Sequence, residues 1–131
     1  NKTTFLKNMI KKLKKFNIRV SLFIEPNISD VKLSKKLGAD CIEIHTGKFC
    51  NLFNYKKKTH AEFIKIKKAS DYAKQINLEV HAGHGLTYKS ASKISKIKSI
   101  SEFNIGHFII AESVFISLKK TIKKFKKIIN N

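Results

Sequence analysis

Hydrophobic positions along the chain switch between two periods. Phe5, Met9, Leu13 and Phe16 recur every three or four residues with lysines on the opposite side, which predicts a helix. In RVSLFIE (19–25) the period drops to two and β-branched and aromatic residues take over, which predicts a strand. PNISD supplies a turn and an N-cap; Val31, Leu33 and Leu37 mark a short helix, and Gly38 ends it. DCIEIHTG (40–47) reads as a second strand closed by glycine, followed by a long helix from about Thr59 to Ile76. LEVHAG (78–83) is a third strand and YKSASKISKIK (88–98) a short helix. EFNIGHF (102–108) is a fourth strand, and one final helix carries Phe115, Leu118, Ile122, Phe125 and Ile129 along a stripe.

Such alternation of helix and strand means parallel strands joined by right-handed helical crossovers. Two architectures use it, the open doubly wound sheet and the (β/α)8 barrel. A Gly-rich dinucleotide fingerprint, expected of the first, does not occur. Each strand also ends in polar or glycine residues: Glu25, His45-Thr46-Gly47, Gly83-His84-Gly85 and Gly106-His107. Barrel active sites are built at that face. A complete barrel takes about 250 residues, so 131 residues with four strands make half of one. The expectation is a single partial domain over 1–131, strands five to eight of an α/β TIM barrel, with an amino-terminal half elsewhere.

Composition narrows the class. A 42% hydrophobic share with one proline suits a packed globule. No apolar run reaches the length of about 18 residues that spans a membrane, and the opening residues lack both a secretory core and an initiator methionine. Cys41 and Cys50 read as free thiols in a reducing compartment, with the cytoplasm as the default. The net charge of +19 invites a nucleic-acid reading. Against it, Arg19 is the sole arginine, whereas nucleic-acid readers exploit the guanidinium fork. Lysines on every amphipathic helix fit a solvated surface.

Candidate chemistry sits at the strand ends. Cys41, Glu43 and His45 share one strand face, with Ile42 and Ile44 on the other. An inward Glu43 could stabilise positive charge or handle a proton, or could be a structural carboxylate satisfied by a Lys or His from the next strand. His84 lies between Gly83 and Gly85, where small neighbours let an imidazole approach a ligand; a structural histidine in a glycine turn is the alternative. His45, His81, His84 and His107 all fall near predicted strand carboxyl ends, which raises a zinc site of the kind barrel hydrolases use, although their spacing matches no compact metal motif. His60, at a helix start, reads as surface. Gly85 and Gly106-His107 stand where the last two loops of a barrel hold a phosphate on unpaired amides.

Taken together, VSLFIEPN, GADCIEIHTG, VHAGHGLTY and FNIGHFII, in this order and spacing, resemble the pyridoxine 5′-phosphate synthase family from about Arg19 to the end of the chain. The resemblance implies a (β/α)8 barrel that condenses 3-amino-2-oxopropyl phosphate with 1-deoxy-D-xylulose 5-phosphate, closing the pyridine ring and releasing phosphate and water. It implies no metal and no organic cofactor, and an octamer of complete barrels. Residue by residue it makes His84 the proton donor, Glu43 the transition-state stabiliser, and Gly85, Gly106 and His107 binders of the aminooxopropyl phosphate. The family's two proton acceptors lie on strands one to four and have no counterpart here. AES (111–113) departs from the family's pattern, and Glu112 would be unfavourable beside a phosphate if it faced inward. A metal-dependent barrel hydrolase, a basic nucleic-acid module and an inactive half-barrel are the competing readings.

Overall fold

The computed structural model describes residues 2–130. The chain runs α1 (Lys2–Lys15), β1 (Ser21–Ile24), α2 (Ile28–Leu37), β2 (Cys41–His45), α3 (Gly47–Asn54), α4 (His60–Gln75), β3 (Glu79–Gly83), α5 (Tyr88–Ile94), β4 (Glu102–Asn104), α6 (His107–Ile116) and α7 (Leu118–Ile129). The four strands form one parallel sheet in sequential order, β1-β2-β3-β4.

Register gives the sheet two unlike faces. Leu22, Ile42, Val80 and Ala82 align on one, with Ile24, Ile44 and Phe103. Ile42, Ile44, Val80 and Ala82 are at most 1% exposed and pack with Ile66, Ala69 and Ala73 of α4, Ala91 and Ile94 of α5 and Phe125 of α7. A smaller cluster joins Ile10 of α1 and Leu37 of α2 to Val20, with Leu22 against it. The opposite face carries Phe23, Cys41, Glu43, His45, Glu79, His81, Gly83, Glu102 and Asn104. Strand alternation therefore sends apolar side chains to the helices and chemistry-bearing ones to the other side.

Local signals in the chain set the element ends. The Asn27 side chain accepts the Asp30 N–H at 2.8 Å to start α2. Gly38, at φ 91°, closes that helix in the left-handed conformation. Thr87 and Ser90 form a capping box at α5.

Three expectations need correction. The chain after β2 does not run straight to the long helix: α3 intervenes, starting at Gly47 and burying Phe49 and Cys50. The fourth strand stops at Asn104, because His107 and Phe108 already belong to α6. The final stripe is not one helix: Ser117, at φ 75°, breaks it between α6 and α7, so Phe115 stays 83% exposed while Phe125 is buried. No helix among the described residues is long and apolar enough to cross a membrane.

Candidate active site

β3 and β4 end side by side, and the loops that follow them enclose a cleft of about 400 Å³. His84, Gly85, Leu86 and Thr87 form one wall, and Asn104 through Phe108 the other. Three of the residues singled out in the sequence, Gly85, Gly106 and His107, thus line one cavity with His84. On its second wall α6 opens without a side-chain cap and without an acidic residue in its first turn. The first backbone bond back to Gly106 comes from Ile110, so the preceding amides have no intrahelical acceptor and favour an anion there. Glu112 lies beyond that turn and is only half-buried.

Glu43 does not line the cleft but reaches its rim through one contact. Asn104 Nδ2 donates to Glu43 Oε2 at 2.7 Å, and Asn104 is a cleft residue. The carboxylate occupies space over β3 that a side chain would otherwise take: a Cβ on Gly83 would lie 2.0 Å from Glu43 Oε1. Glu43 is therefore bonded neither by a lysine nor by a histidine of the next strand: its partner is an asparagine two strands away, on β4, that itself lines the cleft.

The loop carrying His84 is strained and clamped. His84 has φ 77° and Gly85 φ 78°, and a non-glycine residue in this region costs about 1–3 kcal/mol. Thr46, fully buried at the end of β2, holds the loop: its Oγ1 lies 2.8 Å from the carbonyl oxygens of both Gly83 and His84, which share its single proton. Gly85 sits against Cys50 of α3, where a Cβ would come within 3.1 Å of the cysteine Cβ. Burial pushes the Cys50 thiol above its ordinary range, with bonds to Ser90 and Thr46 working against it.

The four histidines do not gather as strand-end spacing suggested. His45 and His84 meet, their ring centroids 4.6 Å apart. His81 instead lies mid-strand, 5% exposed, bonded to Glu79 at 3.0 Å and Glu102 at 3.3 Å. That network belongs to the amino ends of β3 and β4, where Arg19 pairs with Glu79. The Arg19 and His81 bonds hold the Glu79 carboxyl below its ordinary range. His107 opens α6 rather than ending a strand, and His60 starts α4 exposed to solvent. Among the described residues, no three His, Cys, Asp or Glu side chains form a set that could hold a metal ion.

Sequence reasoning passed over Asn104, and it placed Glu25 and Thr46 at strand ends without giving either a role. Alternation within EFN places Asn104 on the face of Glu43, so its signal was present. The role of Thr46 depends on β3 lying beside β2, which the sequence alone leaves unstated.

Comparison with known proteins adds an independent line. A family model described as "Pyridoxal phosphate biosynthesis protein PdxJ" matches residues 1–131. The chain is 54% identical over 125 residues to a protein named pyridoxine 5′-phosphate synthase from Pelagibacter ubique, covering 95% of this chain and 52% of that one. It is 51% identical over 127 residues to a protein of the same name from a Sulfurihydrogenibium species, covering 97% and 51%. The chain spans about half the length of the curated relatives it matches. A match that runs from the first residue to the last, together with identities above half in both comparisons, places this chain in the pyridoxal phosphate biosynthesis protein PdxJ family.

Proposed function

We propose that the chain is the carboxyl-terminal half of a (β/α)8 barrel and works as part of a pyridoxine 5′-phosphate synthase. The half-barrel reading rests on the sheet. Its strands follow one another in order, its helices pack on the apolar face, and its polar face is left for a barrel interior. β1 and β4 each have one unpaired edge among the described residues, which closure with four further strands would satisfy. In the same reading complete barrels assemble into an octamer in the cytoplasm.

The observation that carries the functional reading is the meeting of His84 and Gly85 with Gly106 and His107 around one cleft. The amides at the start of α6 and around Gly85 hold the phosphate of the aminooxopropyl substrate. The substrate amine and the sugar ketone condense to an imine, and eliminations and ring closure follow. His84, exposed beside the phosphate site, delivers a proton to the departing oxygen. Glu43, reached through Asn104, offsets positive charge that develops near the amine. The two proton acceptors come from the amino-terminal half.

The test replaces the matching half of the Pelagibacter ubique relative with this chain and measures pyridoxine 5′-phosphate formation. Turnover is expected in the chimera. His84→Ala should reduce it by about 100-fold or more while binding of the phosphorylated substrate persists. Retained activity in that variant would remove His84 from the mechanism.

A further inference from the structure

The assignment of His84 as proton donor leaves open what aims its ring. Its side chain stands on an exposed left-handed turn, and no described residue hydrogen-bonds either ring nitrogen. Free to choose among staggered wells, such a ring would spend much of its time misdirected. Its orientation comes instead from packing. The His45 ring stands edge-on to it, at 4.6 Å between centroids and 76° between planes, and Phe23 lies 6.4 Å away.

His45 is itself held from two directions. Phe23 packs 5.0 Å from its centroid. Glu25 Oε1 lies 2.7 Å from Nδ1. A carboxylate only accepts, so the proton sits on Nδ1 and the ring is fixed in tautomer as well as in plane. Gly47, at the head of α3, makes room for the meeting: a Cβ there would lie 2.7 Å from both His45 Nε2 and His84 Cδ2.

Resting on the reading of His84 given above, we propose that Glu25 and His45 form a positioning pair that aims the His84 imidazole at the cleft. Glu25 follows β1, His45 ends β2 and His84 follows β3, so three neighbouring strand ends act in series. The carboxylate orients one ring and that ring supports the next. Neither Glu25 nor His45 lines the cleft, so their contribution is to the geometry of proton delivery rather than to substrate binding. Misplacing a reacting group by about 1 Å can cost on the order of 100-fold in rate.

The chimeric enzyme described above is the test system. Glu25→Leu removes the acceptor, Glu25→Gln keeps a carbonyl oxygen that can receive the Nδ1 proton, and His45→Ala removes the support. Glu25→Leu and His45→Ala should lower kcat by about ten- to a hundredfold and leave KM for the phosphorylated substrate within about twofold. Glu25→Gln should restore most of kcat. In histidine-ring NMR, the hydrogen-bonded Nδ1 proton of His45 should be present in the parent and in Glu25→Gln and lost in Glu25→Leu. Glu25 is exposed, so its variants report even if His45→Ala unfolds. Unchanged kcat in Glu25→Leu, a rise in KM alone, or Glu25→Gln as damaging as Glu25→Leu would each overturn the positioning pair. An inactive parent chimera would instead overturn the functional reading, and this inference with it.

Discussion

Asn104 Nδ2 donates to Glu43 Oε2 at 2.7 Å, joining the fourth strand to the second across the glycine that ends the third. The bond is possible because β3 has no side chain at that point. It also fixes the amide of a cleft residue, so the carboxylate meets the cleft wall through Asn104.

Gly83→Ala tests this arrangement. The new methyl would fall 2.0 Å from Glu43 Oε1 and 3.2 Å from the Asn104 carbonyl, so the carboxylate must leave its place. Overpacking of this kind costs about 1–3 kcal/mol. Activity in the complete enzyme should fall by more than the stability loss explains, because the Glu43–Asn104 bond breaks while the fold persists. Thermal denaturation and turnover measured on the same preparation separate the two, and unchanged turnover would mean that the bond is dispensable.

Thr46→Val keeps the shape of a fully buried side chain and removes its hydroxyl. The carbonyl of His84 then loses the Thr46 hydroxyl, whereas that of Gly83 still accepts from the Thr46 backbone N–H at 2.9 Å. The expected cost is about 1–2 kcal/mol. Relaxation of the strained turn should appear as faster amide exchange at His84 and Gly85, with reduced turnover. Exchange rates equal to the parent's would show that the turn holds itself.

The thiols provide a check on packing. Cys41 and Cys50 are free and at most 2% exposed, and burial raises the Cys50 thiol further from its reactive thiolate. A thiol reagent should therefore modify neither in the native protein at neutral pH and both after denaturation. Rapid native labelling of Cys50 would mean that α3 does not stay docked against the His84 loop.

Much of this is legible in the sequence. Alternation in CIEIH separated Glu43 and His45 from Ile42 and Ile44, and the structure keeps that division. Gly85 and the Gly106-His107 pair were placed together by their position after consecutive parallel strands, and they do line one cleft. What stayed hidden has physical causes. GKFCNLFN is short, and Gly47 at its head reads as a strand terminator, so the helix α3 was not foreseen. α6 buries no residue, so its apolar run merged with the stripe of α7, and the break at Ser117 left no periodic trace. His81 showed that nearness to a strand end in sequence does not fix which end of the sheet a side chain serves. Its imidazole bonds glutamates that begin β3 and β4.

Acid should weaken the fold through the carboxylates that tie its elements together. Asp40 receives Lys14 Nζ at 2.7 Å and the Val20 backbone N–H at 2.9 Å, linking the end of α1 to the segment before β1. The Lys14 bond, then the Val20 bond, hold its carboxyl below the ordinary range against the opposing effect of burial. Asp71, bonded first to Lys67 and also to Ser99, is lowered in the same direction. A group whose folded pKa is depressed binds protons less readily when folded than when unfolded. Its stabilisation is complete above the unfolded value of about 3.9 and disappears as pH falls through the folded value. Asp40→Asn should therefore be less stable than the parent by about 1 kcal/mol at neutral pH, a figure reduced for the partial exposure of the pair. That gap should close as pH drops below about 4. Urea midpoints for both proteins at neutral pH and at stepwise lower pH would show it; a gap that stays constant into acid would mean that the Asp40 charge contributes nothing to the fold.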